Sequence, residues 1–264
     1  MTRRRLDTEL VRRGLVTSRA EAQEAVRSGL VLVAGSRATK TSTLVADDVP
    51  VELAGPARRF VSRGGDKLTA ALTRFRVDPT GLDCLDAGAS TGGFTDCLLR
   101  AGARHVVAVD VGYGQLDWRL REDDRVTVLE RTNARGLTVD ALPYRPQLVV
   151  ADLSFISLRS VLPALSGVAA DDARAVFLVK PQFEAGPADV GSGGVVRDPD
   201  VWTRVLSAVA GMAADAGFAP LGVMASPVRG PAGNVEFLLF ARRGSPPATI
   251  DVEAAVAEGR KVAA

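Results

Sequence analysis

Histidine, cysteine and tyrosine are scarce in this chain: one, two and two of 264 residues. Cys84 sits in an apolar run and Cys97 in a helical pattern, a spacing that suits neither a metal site nor a disulfide framework. Both read as buried free thiols of a protein in a reducing compartment, the cytoplasm. His105 opens an apolar run with no nucleophile or ligand residue beside it and reads as structural, so no metal centre is expected. Long hydrophobic runs are missing too. None reaches the roughly 18 apolar residues that a membrane span needs, and the basic start MTRRRLDTEL lacks the apolar stretch of a secretory signal. What is present, 47% hydrophobic and 24% charged residues, is the composition of a soluble globular protein able to bury a sizeable core in one or two domains.

The net charge of +2 conceals an asymmetry. Residues 1–60 hold 11 Lys or Arg against 7 Asp or Glu, and the remainder 22 against 24. A basic segment ahead of a near-neutral body suggests a module that meets a polyanion. Its sequence reads as two short helices, at 6–13 and from Ser18 to about Gly29, the second opened by a capping box of Ser18 and Glu21. Short strands follow in LVLVAG and VPVELAG. Arg3, Arg4, Arg5, Arg12, Arg13, Arg19 and Arg27 lie on or beside the helices, and the guanidinium fork suits phosphate. GPARRFVSRGG then forms a hinge-like link carrying Arg58 and Arg59, before a helix from about Asp66 to Phe75 that has Lys67 in its first turn, where a lysine opposes the helix dipole.

The body is organised around DCLDAGASTGGFTDCLL at 83–99, an apolar strand, Asp86, a glycine-rich turn, and a helix starting near Phe94. Gly88, Gly92 and Gly93 are expected to bend the backbone and leave room for a ligand over the helix N-terminus. HVVAVDVG places Asp110 at the tip of the next strand, suited to gripping two ribose hydroxyls of a nucleotide-like cofactor. Strands at 83–86, 105–110, 126–129, 147–151, 175–179, 220–225 and 235–240, most separated by helical segments, predict a parallel α/β sheet whose ligands bind at the strands' C-terminal ends. The glycine-rich stretch 184–198 reads as a mobile loop beside the site.

Three strand tips carry charge. Asp152 follows QLVVA, Lys180 follows AVFLV, and Glu236 lies near the start of the last strand, on the same edge as the others if that strand runs antiparallel. Lys67 can join them from the preceding helix. Charged residues at a sheet edge are either a structural ion-pair cluster or a reactive one. A lysine partly out of water and close to a second cation can serve as a general base, with the two carboxylates orienting the pair.

The set Lys67, Asp152, Lys180 and Glu236, with D-x-G-x-x-x-G-G-F at 86–94, resembles the Lys-Asp-Lys-Glu tetrad of FtsJ-like ribose 2′-O-methyltransferases. RRRLDTELVRRGLVTSRAEAQEAVRSGLVLVAG resembles an S4-type RNA-binding domain, and SRGGDKL, DAGASTGGFTD, DVGYGQL, ERTNAR, ADLSFISL, LVKPQFE and GNVEF together are similar to the TlyA family over almost the whole chain. The resemblance implies an S4 domain at 1–57, a linker at 58–61 and a Rossmann-like class I methyltransferase domain at 62–264. It also implies a monomer that methylates cytidine 2′-hydroxyls in 16S and 23S rRNA within the ribosomal subunits. In that scheme S-adenosylmethionine lies on Asp86, Gly88, Ser90, Gly92, Gly93 and Phe94, with Asp110 on its ribose and Asn133 at its adenine. Lys180 is the base, and the nine arginines named above meet RNA. The same family is also described as haemolysins, and a non-catalytic ribosome assembly factor is the remaining alternative.

Overall fold

A computed structural model describes residues 3–27, 29–54, 59–246 and 248–263. The chain divides into two compact units, Met1–Arg58 and Arg59–Ala264. Arg58, expected to meet RNA and to open the linker, lies outside the described residues.

The first unit runs β1 (Arg3–Arg5), α1 (Leu6–Arg12), α2 (Arg19–Arg27), β2 (Val31–Val33), β3 (Ser36–Arg37), β4 (Leu44–Ala46) and β5 (Val51–Leu53). Residues 3–5, expected only as a basic stretch beside the first helix, form a strand that pairs antiparallel with β4, Arg4 opposite Val45. Three arginines in a row carry no apolar alternation to announce a strand. Ser18 Oγ caps Glu21 N at 3.2 Å, half of the expected box, while the Glu21 carboxylate reaches one residue further back, to Thr17 N at 2.8 Å. Leu6, Leu10, Ala22, Ala25, Val26, Val31, Val45 and Val51 form the core.

Two carboxylates, Asp7 and Glu9, are fully buried in this small unit, and burial of an unpaired charge is prohibitive. Arginines solve the problem. Arg5 donates to both oxygens of Asp7 at 3.1 Å and Arg19 joins at 3.0 Å. Arg12 and Arg13 hold Glu9 at 2.8 and 2.7 Å, and Arg13 also donates to Val49 O at 2.8 Å. Arg4 bonds Asp47, and Arg27 lies 3.4 Å from Glu24. The structure thus engages Arg13 with Glu9 and with the carbonyls of Ala46, Asp47 and Val49, and gives Arg5, Arg12 and Arg19 a structural duty on at least one edge of each guanidinium.

The second unit contains α3 (Gly64–Phe75), β6 (Asp83–Ala87), α4 (Gly93–Arg100), β7 (His105–Val109), α5 (Trp118–Arg121), β8 (Val126–Leu129), β9 (Leu148–Ala151), α6 (Leu162–Val168), β10 (Arg174–Val179), α7 (Pro181–Glu184), α8 (Pro199–Asp215), β11 (Phe218–Ala225), β12 (Phe237–Arg243) and α9 (Val252–Ala263). The seven-stranded sheet has the order β11-β12-β10-β9-β6-β7-β8. All neighbours pair in parallel except β12, which is antiparallel to both β10 and β11. Alternate strand residues feed two cores, Leu85 and Ala87 toward α6 and α8, Cys84 and Val106 toward α3 and α4. Because β6 has β9 on one side and β7 on the other, the chain order reverses there, and a crevice opens at the strands' C-terminal ends.

His105 is structural, as read: Nδ1 meets Tyr144 Oη at 2.8 Å and Nε2 meets Thr127 Oγ1 at 3.3 Å. Burial pushes the Cys84 thiol up to about 12 and Cys97 to about 11, so both are inert thiols at neutral pH.

Hydrogen bonds from Arg12 and Arg13 hold Glu9 at about 2, against an opposing push from burial and below its ordinary 4.5; bonds from Arg5 likewise hold Asp7 low. Carboxylates depressed in this way stabilise the folded state above their ordinary values and lose that contribution as pH falls through the folded value. Hydrogen-exchange protection of residues 6–10 is expected to fall between about pH 4.5 and 2, and Glu9→Gln to flatten that slope. A slope unaltered in the variant contradicts the assignment.

Candidate active site

The sheet edge assembles the four charged tips. Asp152 directly follows β9 and Lys180 directly follows β10. Glu236 is not inside the last strand, as expected, but immediately before it, and the register that sets Phe237 opposite Val179 brings it level with Lys180. The antiparallel direction of β12 is what returns its first residue to the edge where the parallel strands end.

Lys67 Nζ donates to Glu236 Oε2 at 2.6 Å, a pair 7% and 1% exposed. This pairing accounts for a lysine in the first turn of α3: a buried carboxylate outweighs the helix dipole there. Lys180 Nζ lies 2.6 Å from Asp152 Oδ1 and donates to Ser154 Oγ at 2.9 Å. All four residues, with Gly88 and Phe94, line one cavity of about 210 Å³. Ser154 was missed in the sequence; the only signal was its place two residues beyond Asp152 at a strand tip.

A second cavity, of about 390 Å³, is lined by Gly88, Ser90, Asp110, Asn133, Asp152, Ser154 and Phe155 among others. It shares Gly88, Ser90, Asp152 and Ser154 with the first, so the two open onto a common wall. Asp110 accepts Ser90 N at 2.8 Å and Gly112 N at 2.7 Å, bracing the turn while retaining acceptor capacity on both oxygens. Asn133 Oδ1 caps Arg135 N at 3.0 Å, which leaves its amide nitrogen as a donor.

Gly88 and Gly92 bend the backbone as expected, at φ +87° and +96°. A Cβ on Gly88 would meet Asp152 O at 2.5 Å, and one on Gly93 would meet Ser62 Oγ at 2.2 Å. A Cβ on Gly92, at φ +96°, would strike Leu120 at 2.3 Å. The missing side chains make room for neighbouring chain, and Gly92 lines neither cavity. Asp86 also lines neither: it is fully buried behind the turn, accepting from Thr95 Oγ1 at 2.7 Å, and its Oδ1 has no partner.

The loop after β9 is held from α7. Glu184 accepts from Ser157 Oγ at 2.7 Å and Leu158 N at 2.8 Å, while Phe155, at φ +64° and 90% exposed, stands at the cavity mouth. Downstream, the stretch expected to be a mobile loop is tied where Asn234 bonds Val196 N at 2.9 Å and Gly194 O at 2.8 Å. Among the described residues no three His, Cys, Asp or Glu could hold a metal, and no helix is long and apolar enough to cross a membrane.

Burial, with Asp152 and Asp110 nearby, pushes Asp86 up to about 7. A carboxyl raised on folding stays protonated in the folded chain, so stability declines as pH climbs from about 4 to about 7. Asp86→Asn, which keeps the acceptor for Thr95, is expected to reduce that decline in thermal melts between pH 5 and pH 8. Equal declines in both proteins contradict a neutral buried Asp86.

Residues 60–243 match the family model of the FtsJ-like methyltransferases, and residues 4–48 that of the S4 domain. The chain is 56% identical over 241 residues to the 16S/23S rRNA (cytidine-2′-O)-methyltransferase TlyA of Mycobacterium tuberculosis, covering 91% of this chain and 90% of that one. It is 37% identical over 235 residues to hemolysin A of Brachyspira hyodysenteriae, covering 89% and 98%. A solved structure from Streptococcus thermophilus, described as a hemolysin, matches with a TM-score of 0.80 at 39% identity and covers 99% of this chain and 97% of its own. With that likeness along nearly its full length, and with the Lys–Asp–Lys–Glu edge in place, the chain belongs to the TlyA family of FtsJ-like methyltransferases and carries an S4 domain ahead of its methyltransferase domain.

Proposed function

We propose that this protein methylates the ribose 2′-hydroxyl of cytidines in rRNA of both ribosomal subunits, with Lys67, Asp152, Lys180 and Glu236 as its reacting edge. The carrying observation is the shared wall: the cavity of the four charged residues and the larger cleft meet at Gly88, Ser90, Asp152 and Ser154. Residues 1–57 serve as the RNA-binding domain and 62–264 as the methyltransferase, acting as a monomer in the cytoplasm.

The larger cleft fits S-adenosylmethionine. Its volume of about 390 Å³ is that of a small-molecule site. Asp110 and Asp152, both in its lining, give it a negative surround suited to a cationic ligand. Asp110 would hold the ribose hydroxyls, Asn133 the adenine edge, and the backbone at Gly88, Ser90 and Gly93 the amino-acid end. When bound, the cofactor supplies a methyl group on a sulfonium, already a strong electrophile.

What remains for the protein is alignment and removal of one proton. Lys180 Nζ, in its free-amine form, would take the 2′-hydroxyl proton, and Asp152, 2.6 Å away, would balance the charge then left on the lysine. Ser154 fixes the ammonium from a second direction. The Lys67–Glu236 pair keeps a second cation close to the oxygen that develops charge. A nucleotide stacked in RNA cannot enter so small a cavity, so it leaves its stack, and exposed Phe155 offers a face for the extruded base.

Transfer of labelled methyl from S-adenosylmethionine to unmodified subunits, read as an alkali-resistant dinucleotide, tests this. Lys180→Ala is expected to lower kcat by roughly 10²–10⁴-fold with cofactor still bound. Phe155→Ala is expected to act mainly on KM, raising it by roughly tenfold for a lost stacking contact. No label on either subunit, or label undiminished in Lys180→Ala, overturns the assignment.

A further inference from the structure

Away from this edge, the helices α3 and α4 enclose a third cavity, of about 470 Å³. Helix α3 turns Thr69 and Thr73 to it, at i and i+4, its C-cap Arg76 follows, and α4 adds Cys97 and Arg100. Lys67 is two positions from Thr69, about 200° around the helix, so this groove opens on the face turned away from the tetrad. Its floor is apolar, with Leu72, Val77 and Phe60, the last 4% exposed. A Cβ on Gly65 would meet Phe60 at 2.2 Å, so the ring is seated against the start of α3.

Its rim carries three arginines, Arg59, Arg76 and Arg100, and one carboxylate, Asp78. The guanidiniums of Arg59 and Arg100 lie over the Phe60 ring at 5.0 and 5.6 Å. Arg100 gives Nε to Asp96 Oδ1 at 2.6 Å, and the other oxygen of Asp96 accepts Val61 N at 2.9 Å. The terminal amino groups of Arg100 are left to the groove. Arg59 and Arg76 have no carboxylate partner among the described residues. Arg76 is also the αL residue that closes α3, at φ +52°. Glycine takes such a position without strain; here an arginine occupies it.

We propose that this groove binds a nucleotide of the RNA outside the one that is methylated, its phosphate on Arg76 and Arg100 and its base over the apolar floor. Guanidiniums held over an aromatic ring offer cationic surface to a base, and the Thr73 hydroxyl suits a ribose, that of Thr69 being given to Gly65 O at 2.8 Å. Charge complementarity and the apolar floor together favour a nucleotide over an acidic peptide. The inference rests on RNA being the substrate of the tetrad.

The test is binding of the full-length protein to subunits and to deproteinised rRNA over a salt series, for wild type, Arg76→Ala, and Arg76→Ala with Arg100→Ala. Arg242→Ala, on an exposed strand residue far from the groove in sequence and paired with Asp172, is the control. Each groove arginine removed is expected to weaken binding to both RNA forms roughly three- to tenfold and to lower the salt slope by about one. The control should match wild type, and calorimetric affinity for S-adenosylmethionine should be unchanged in every variant. Unchanged affinity and slope in the double variant overturn the proposal. Weakening confined to intact subunits also overturns it, because that result assigns the groove to a ribosomal protein. Wild type that binds RNA yet transfers no methyl sinks the enzymatic reading, while the arginine comparison still decides the groove.

Discussion

Two lysines face one small cavity, and each is tolerated there because a carboxylate lies 2.6 Å from its ammonium. Isolated, either cation would cost several kcal/mol to bury, and removing one member of such a pair typically costs about 3–5 kcal/mol. The fold is arranged around meeting this demand. Strands β9 and β10 end at Asp152 and Lys180, side by side in parallel. A third parallel strand would put its first residue at the opposite edge of the sheet, so Glu236 can arrive only because β12 runs the other way. The fourth member comes from outside the sheet, and α3 can deliver it only by lying close to α4. That closeness is why Gly64, Gly65 and Gly93 meet without side chains between them.

Much of this was legible. Apolar runs ending in a single charged residue mark parallel strands and their functional tips together, and all seven strands of the large sheet stand within three residues of the expected bounds. The misreadings share a cause. A strand without alternation, Arg3–Arg5, looks like any basic stretch. A glycine records that a Cβ is not tolerated, but not whether a ligand or a neighbouring strand excludes it; at Gly88 it is the Asp152 carbonyl. Asp86 sits next to a ligand-binding turn in sequence, yet alternation along β6 sends its side chain to bond Thr95. Proximity in sequence stood in for a direction that only packing decides.

The N-terminal charge surplus needs the same care. Seven arginines point to a polyanion, but Asp7 and Glu9 are buried and take Arg5, Arg12, Arg13 and Arg19 as partners. An arginine so held is not lost to RNA, since one edge of its fork can bind a carboxylate while the other meets phosphate. The ion pairs fix where those edges point, trading net charge for preorganisation. Arg13, bonded to Glu9 and to three backbone carbonyls, has the least left to offer.

Asp152 holds the most exposed duty, because it belongs to both cavities while orienting Lys180. Its main chain is fixed as well: Asp152 N donates to Ala87 O at 3.0 Å, and its own carbonyl approaches the space beside Gly88. Two residues on, Ser154 binds the same lysine, and Glu184 clamps Ser157 and Leu158 from the helix that begins one residue after Lys180. The segments after β9 and after β10 therefore hold one another at two levels, through Lys180 at the front and Glu184 behind. An in-line transfer demands alignment within a fraction of an ångström. Cross-bracing of the two strand tips supplies it without any contribution from the mobile partners that come and go.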